Sequence, residues 1–475
     1  MRNLCLASLF LSAAALPAFA QNVIPTDAKP TCALTQADLD KWAMEPFVAG
    51  GFVWPADGFQ KFDTKCDFYK WGAQMFLWLT SPQNGGLVFD APGFYNVEHD
   101  GSGVFSLVAN QSGKPSVFAL RDVKDPDVPQ ADGDVLISQA DEVVYYGIHT
   151  NDTYVAFRDG FLAEPSDFDF TMDYGGGTTA SKVFPIDQTQ AGKVVDYGVA
   201  KGIITTDPDI ALKASTMELK SSWVDASTVD ASNFVTIDAV VPTYSPRTGD
   251  TWTFNGLETK TLAMVGLHIA APVQGHPELV WISYEHLSNA PMDKYVYTQC
   301  TDATTCANIT HPYSGAGNWV FMTADGALPA SIPAVATTNG DDIVAISGQT
   351  IESVDVAQMN PWGRSPGASS DDDVLNSNDL VSLNASLIAL LAGDQRAQYY
   401  QIGGLWTSGG ELPSGGTDAK IAGGLTLANS TLETFHQFPQ ENNAFQTNNC
   451  FSCHNAKNDD GVKISHIFDG IKATE

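Results

Sequence analysis

This chain of 475 residues has little positive charge. Its 24 Lys and Arg stand against 55 Asp and Glu, a formal net charge of −31. Phosphate contacts need clustered Lys and Arg, so the balance argues against nucleic acid as a partner. It argues equally against anionic lipid surfaces, and it favours solubility and a basic partner. Beyond the first twenty residues no stretch is apolar for long enough to span a bilayer, so no integral membrane segment is expected. No internal repeat with a fixed period is present. Neither H-x-H nor H-E-x-x-H occurs among the nine histidines, and no second Cys/His pair repeats the spacing of the single C-x-x-C. No methionine follows His454.

Hydrophobic residues make up 44% and charged residues 17%, enough to build a large core. The length suits two or three domains, or one large β domain with additions. Residues 1–20 read as a secretion signal. Arg2 supplies its positive start, Leu4 to Ala15 its short apolar core, and Ala18-Phe19-Ala20 its cleavage site. The mature chain is then expected to be periplasmic or secreted, starting at Gln21.

The most informative stretch is Asn449-Cys450-Phe451-Ser452-Cys453-His454-Asn455. A C-x-x-C-H run is the attachment signature of a c-type haem. Two thiols that add to two vinyl groups must sit about one helical turn apart. The next residue, His454, then lies under the iron as the proximal ligand. A structural zinc site needs four ligands, which this spacing does not provide. A redox C-x-x-C opens a helix in a βαβ unit, whereas this one sits near the tail of a β-rich chain.

The motif resembles that of the c-type cytochromes. Other segments are similar to those of large exported bacterial proteins with one C-terminal haem-c motif. They include Trp71-Gly72-Ala73-Gln74-Met75-Phe76, Gly275-His276-Pro277-Glu278-Leu279-Val280-Trp281, Glu285-His286-Leu287-Ser288-Asn289-Ala290-Pro291, Glu433-Thr434-Phe435 and Ser465-His466-Ile467-Phe468. The resemblance implies one covalent haem c, attached outside the cytoplasm, with Cys450, Cys453 and His454 as cofactor-binding residues. It names no substrate. Cytochrome c domains place a distal methionine several dozen residues after the motif, and here 21 residues without methionine follow. The haem is therefore expected to pack against the preceding body or to take a local ligand. His466 is the first candidate for the distal iron position. His436, His268, His276, His286 and Met359 are more distant choices.

Setting aside Cys5, Cys450 and Cys453 leaves Cys32, Cys66, Cys300 and Cys306. An even remainder in an exported protein suggests two disulfides. Cys300 and Cys306 flank a short polar loop and pair readily with each other, which leaves Cys32 for Cys66. Four buried free thiols are the alternative.

The expected fold is mainly β with helical additions: a sandwich- or barrel-like body and a short C-terminal haem-c segment. Residues 21–82 read as helical, with N-caps at Thr35/Asp38 and Thr64/Asp67 and an aromatic stripe through Phe68, Trp71 and Trp78. Residues 83–363 read as the β body, with strand-like runs at 104–108, 142–146, 154–157 and 234–237, loop-rich stretches at 110–140 and 160–195, and a flexible point at Gly175-Gly176-Gly177. Residues 364–378 read as a linker, and a helix from Asp379 opens the C-terminal segment, 379–475. There Ser430 to Glu433 reads as a capping box.

Residues 262–286 read as a hairpin. Alternation places Met264, Gly266 and His268 on one side of its first strand, Ser283 and Glu285 on one side of the second, and Tyr284 and His286 on the other. His268, Glu285 and His286 are the candidates for a catalytic or metal role. Strand histidines bonded to local carbonyls are the plainer reading. Glu218, Lys220 and Trp223 are possible neighbours.

Three functions remain open at this point. One is electron transfer through a six-coordinate haem to a redox partner protein. The second is a haem-dependent oxidoreductase with a pocket in the β body. The third is a secreted binding protein with a sensor haem.

Overall fold

Ten strands form the main sheet. In chain order they are β1 (Phe94–His99), β2 (Phe105–Ala109), β3 (Ser116–Val117), β4 (Tyr145–Asn151), β5 (Glu218–Asp225), β6 (Thr236–Tyr244), β7 (Phe254–Val273), β8 (His276–His286), β9 (Tyr399–Thr407) and β10 (Ile421–Gly423). The structure is a computed structural model. It describes residues 19–44, 46–99, 105–119, 134–175, 178–348, 350–438, 449–456 and 460–471. The apolar core of the secretion signal, Gly176, Gly177 and residues 120–133 of the loop-rich stretch 110–140 lie outside the described residues.

The spatial order is β10-β9-β8-β7-β5-β4-β1-β2, antiparallel throughout. β6 runs antiparallel along the first half of β7, and β3 adds to β6 in parallel. β7 is twenty residues long because it serves several neighbours. Its first half pairs with β6, its second half with β8, and its other edge with β5. The mainly β body with helical additions is thus what the chain forms, built on a single large sheet.

Among the described residues there are seven α-helices. Three matter here: α1 (Gln36–Trp42), α2 (Lys65–Leu79) and α3 (Asp371–Leu390). Capping boxes at Thr35/Asp38 and Thr64/Asp67 start the first two, as the sequence spacing indicates. α2 packs on β8 through Gly72, where an added Cβ would meet Ile282 at 2.8 Å. Phe76 stacks on Tyr284 at 4.1 Å. The aromatic stripe of α2 is therefore core packing, on the face of β8 that carries Ile282 and Tyr284.

The stretch read as a linker is ordered. Ser370 and Asp373 form a capping box and the helix starts at Asp371, eight residues before Asp379. The buried Arg364 pairs with Asp372 and Asp373 across that start. Residues 154–157 are helical rather than extended. Asn151 accepts the Tyr154 N–H at 3.0 Å and caps a helix over Asp152–Ala163. Further helices at Gln188–Lys201 and Pro208–Ala214 interrupt the region read as β.

Both disulfides form, Cys32–Cys66 and Cys300–Cys306. The N-terminal segment is clasped by the C-terminal third. Cys32 N–H and Leu34 N–H donate to Ser382 and Ser386 of α3. Gly50 N–H donates to Asp394, and Arg396 reaches back to the carbonyls of Leu77 and Gly51. No helix among the described residues is long and apolar enough to cross a membrane.

Candidate functional site

One face of the sheet receives the C-terminal segment. In a strand, alternate side chains share a face, and paired residues on antiparallel neighbours share it too. Lys220 on β5 pairs with His268 on β7, which pairs with Ser283 on β8. Ser222, Gly266 and Glu285 form the next row, and Ala270 with Trp281 the row on the other side. Sequence alternation expected Met264 on this face as well. A bulge between Met264 and Gly266 pairs Met264 with Trp223 and turns it to the opposite face.

Residues 429–433 cross this face. Gly266 makes the approach possible: an added Cβ would lie 2.6 Å from both Ser222 Oγ and Thr431 Oγ1. Those hydroxyls bond to each other at 2.7 Å, and Tyr146 donates to the Thr431 carbonyl. Asn429 donates to Ser283 Oγ and to the Tyr284 carbonyl. The expected capping box does not form. The Ser430 hydroxyl donates to Glu285, while Glu433 accepts from Asn429 N–H and His268.

The turn Cys450–Ser452 follows, with His454 N–H donating to the Cys450 carbonyl at 2.8 Å. Cys450, Cys453 and His454 thus share one turn, as the C-x-x-C-H spacing requires. Cys450 and Cys453 are half-buried and carry no disulfide. Burial, and then the nearby Glu433 carboxylate, push the Cys450 thiol well above its usual range.

His454 donates from Nδ1 to the Ile464 carbonyl at 2.8 Å. That bond fixes the tautomer and leaves Nε2 with its lone pair. Burial holds the ring well below the usual histidine range, so it is neutral. Trp281 lies against it with ring centroids 4.3 Å apart. His466 stacks on its face at 3.9 Å, with planes 16° apart. The structure places His466 beside His454, with Nε2 3.3 Å from the Cys453 carbonyl.

Of the hairpin candidates, only His268 is brought to this turn. Its Nε2 lies 2.9 and 3.0 Å from the Glu433 oxygens. Burial opposes the Glu433 charge, but His268, Lys220 and the Asn429 N–H outweigh it and hold the carboxyl down to about 2. The charges of His268, Lys220 and His466 are felt at His454, and those of Lys220 and Glu433 at Cys450. Glu285 instead anchors the crossing segment through Ser430 N–H and Oγ, at 2.6 and 2.7 Å. Burial raises it to about 7.

His286 faces the other way. Its Nε2 donates to the Asn233 carbonyl, its Nδ1 bonds Ser288, and its ring stacks on Phe234 at 3.7 Å. Burial drops it to about 3, and both nitrogens are taken. His276 bonds Glu278 and packs on Phe68. These are strand histidines with local partners. Among the described residues no group of three or more His, Cys, Asp and Glu is arranged as a metal site.

Glu433 was not singled out as a site residue by sequence reasoning. A signal for it exists: it is the one charged residue between Lys420 and Glu441. Glu218 also reaches this face, bonded to Tyr154 and Ser465 and raised by burial to about 7. Trp223 does not. It is buried on the opposite face, near Phe89 and Phe118.

The site belongs to a class defined by its own geometry: a C-x-x-C-H turn docked on the face of a large antiparallel sheet. No family model matches the chain, and no curated protein or solved structure matches it either.

Proposed function

We propose that this chain is an exported monohaem c-type cytochrome that transfers electrons through a covalently bound haem. The observation that supports it most is the sorting of the cysteines. Among the described residues four are in disulfides, and the two others are those of the C-x-x-C-H turn. A neutral His454 with a lone pair on Nε2 is the form that axial ligation of an iron uses.

When bound, haem c supplies a one-electron couple. The chain's residues do the rest. Cys450 and Cys453 would hold the group by two thioether bonds. His454 would ligate the iron through Nε2, its ring oriented by the Ile464 carbonyl and flanked by Trp281 and His466. Lys220, His268 and Glu433 set the electrostatic field at the turn, and such outer groups tune a haem potential. The acidic surface favours a basic redox partner. Two disulfides accord with an oxidising compartment.

The test is expression in a host with haem-attachment machinery, followed by denaturing gel and pyridine haemochrome assay. One covalent haem per chain is expected, absent from the Cys450→Ala/Cys453→Ala double variant. A folded, export-processed wild type without covalent haem would overturn the reading.

A further inference from the structure

Away from the haem-motif turn, a cleft of about 800 Å³ lies between α1, α2, the loop 54–62 and the helix Pro208–Ala214. That is the upper part of the range of about 300–1,000 Å³ that small-molecule sites occupy. Nothing in the electron-transfer reading uses it.

Its walls carry four aromatic rings, Trp42, Trp54, Phe62 and Trp71. Trp42, Trp54 and Phe62 keep part of their surface open to solvent. Phe52 braces Trp54 edge-on at 5.1 Å, and Phe68 stacks on Phe62 at 4.8 Å. The loop is pinned at several points. Trp54 N–H donates to the Trp42 carbonyl, and Gln74 donates to the Trp54 carbonyl. Gly58 bonds the Lys213 carbonyl and accepts from Gln274 N–H. The cleft is therefore preformed, and a ligand need not order it.

The polar lining has both signs in near balance, with four lysines and five aspartates. An anionic ligand would face the carboxylates, and a cationic one the ammonium groups. Among the described residues no ion pair holds Lys41, Lys70 or Lys213, so their donors are open to a ligand. Lys41 and Lys70 flank Asp38 without closing on it. Asp57 accepts from Phe59 N–H on one oxygen and from the Gln60 amide at 3.5 Å on the other, which leaves lone pairs for a ligand hydroxyl. A hydroxyl donates and accepts at once, and sits well between such groups. Flat C–H faces pack well on aromatic rings.

We propose that this cleft binds an uncharged saccharide of two or three sugar units, its rings against Trp42 and Trp54 and its hydroxyls between the lysines and aspartates. The site is independent of the haem-motif turn, so its failure would leave the electron-transfer reading untouched.

The test is titration of the full chain with cellotriose, xylotriose, mannotriose and maltotriose, followed by calorimetry and tryptophan fluorescence. Tri-galacturonate and spermidine serve as charged controls. At least one neutral trisaccharide is expected to bind with Kd between about 10 μM and 1 mM. Trp54→Ala should weaken that binding by about tenfold or more, in line with the loss of one stacked ring. Lys41→Met, at an exposed position that the fold does not need, should weaken it by about three- to tenfold, the size of one hydrogen bond. No neutral binder below about 10 mM overturns the proposal. So does tighter binding of either charged control, or neutral binding that both variants leave unchanged.

Discussion

The His268 ring nitrogen lies 2.9 and 3.0 Å from the two carboxylate oxygens of Glu433. This pair ties the second half of the longest strand to the segment that leads into the haem-motif turn. It is also where the local charges concentrate, since Lys220 stands opposite His268 in the β5–β7 register.

Acid should loosen this tie. Glu433 is held below its ordinary value, to about 2. Its contribution is therefore present above the unfolded carboxyl range near pH 4.5 and is lost as pH falls towards 2. The side chain is 29% exposed, so solvent screening reduces the effect to about 1–3 kcal/mol. Chemical denaturation at pH 6 and pH 3 is the measurement. Glu433→Gln should be less stable than wild type at pH 6, with that deficit cut to about half at pH 3. An equal deficit at both would refute the linkage.

The opposite sign applies to Glu218 and Glu285, which burial raises to about 7. The folded state keeps these protons longer than the unfolded chain does. Stability is full below about pH 4.5 and declines as pH rises through 7. Glu218→Gln/Glu285→Gln should flatten that decline, gaining about 1–3 kcal/mol at pH 8 relative to wild type after allowance for relaxation. A double variant that tracks wild type from pH 5 to 8 would show that neither carboxyl is protonated in the fold.

Gly266→Ala should cost about 2–4 kcal/mol, because its Cβ meets two hydroxyls that bond each other, and overpacking and an unpaired hydroxyl add. The strain falls on Ser222 and on residues 429–433, so faster amide exchange is expected in 429–433, with β1 and β2 unaffected. Protection unchanged in 429–433 would argue against the close approach.

His466→Ala bears on the haem reading directly. His466 stacks on the face of His454 at 3.9 Å and is the first candidate for the distal iron position. In the haem-loaded protein the variant should turn a low-spin spectrum high-spin in magnetic circular dichroism. A spectrum that stays low-spin, with only the potential shifted, would refute His466 as the distal ligand.

Local chemistry was legible in the sequence. The two disulfides, the caps at Thr35 and Thr64 and the hairpin 262–286 depend on near neighbours or on simple counting. Non-local terms were not. The run Tyr154–Phe157 has strand-like composition, and the Asn151 side chain makes it a helix start. Met264 obeys alternation until the bulge after it turns the face over. The meeting of Lys220, His268 and Glu433 needs two strand registers and one crossing segment. His268 is 165 residues from Glu433, and no periodicity encodes that distance.

The clasp between the two ends of the chain sets an order of events. The backbone of Cys32 is completed by a side chain 350 residues later. β9 must also arrive before β8 has its second neighbour. Closing loops of this length is entropically costly and slow. The first eighty residues therefore wait for the last hundred, and the native fold forms only after translation has released nearly the whole chain. A chain cut before α3 would have its first eighty residues without the surface that receives them.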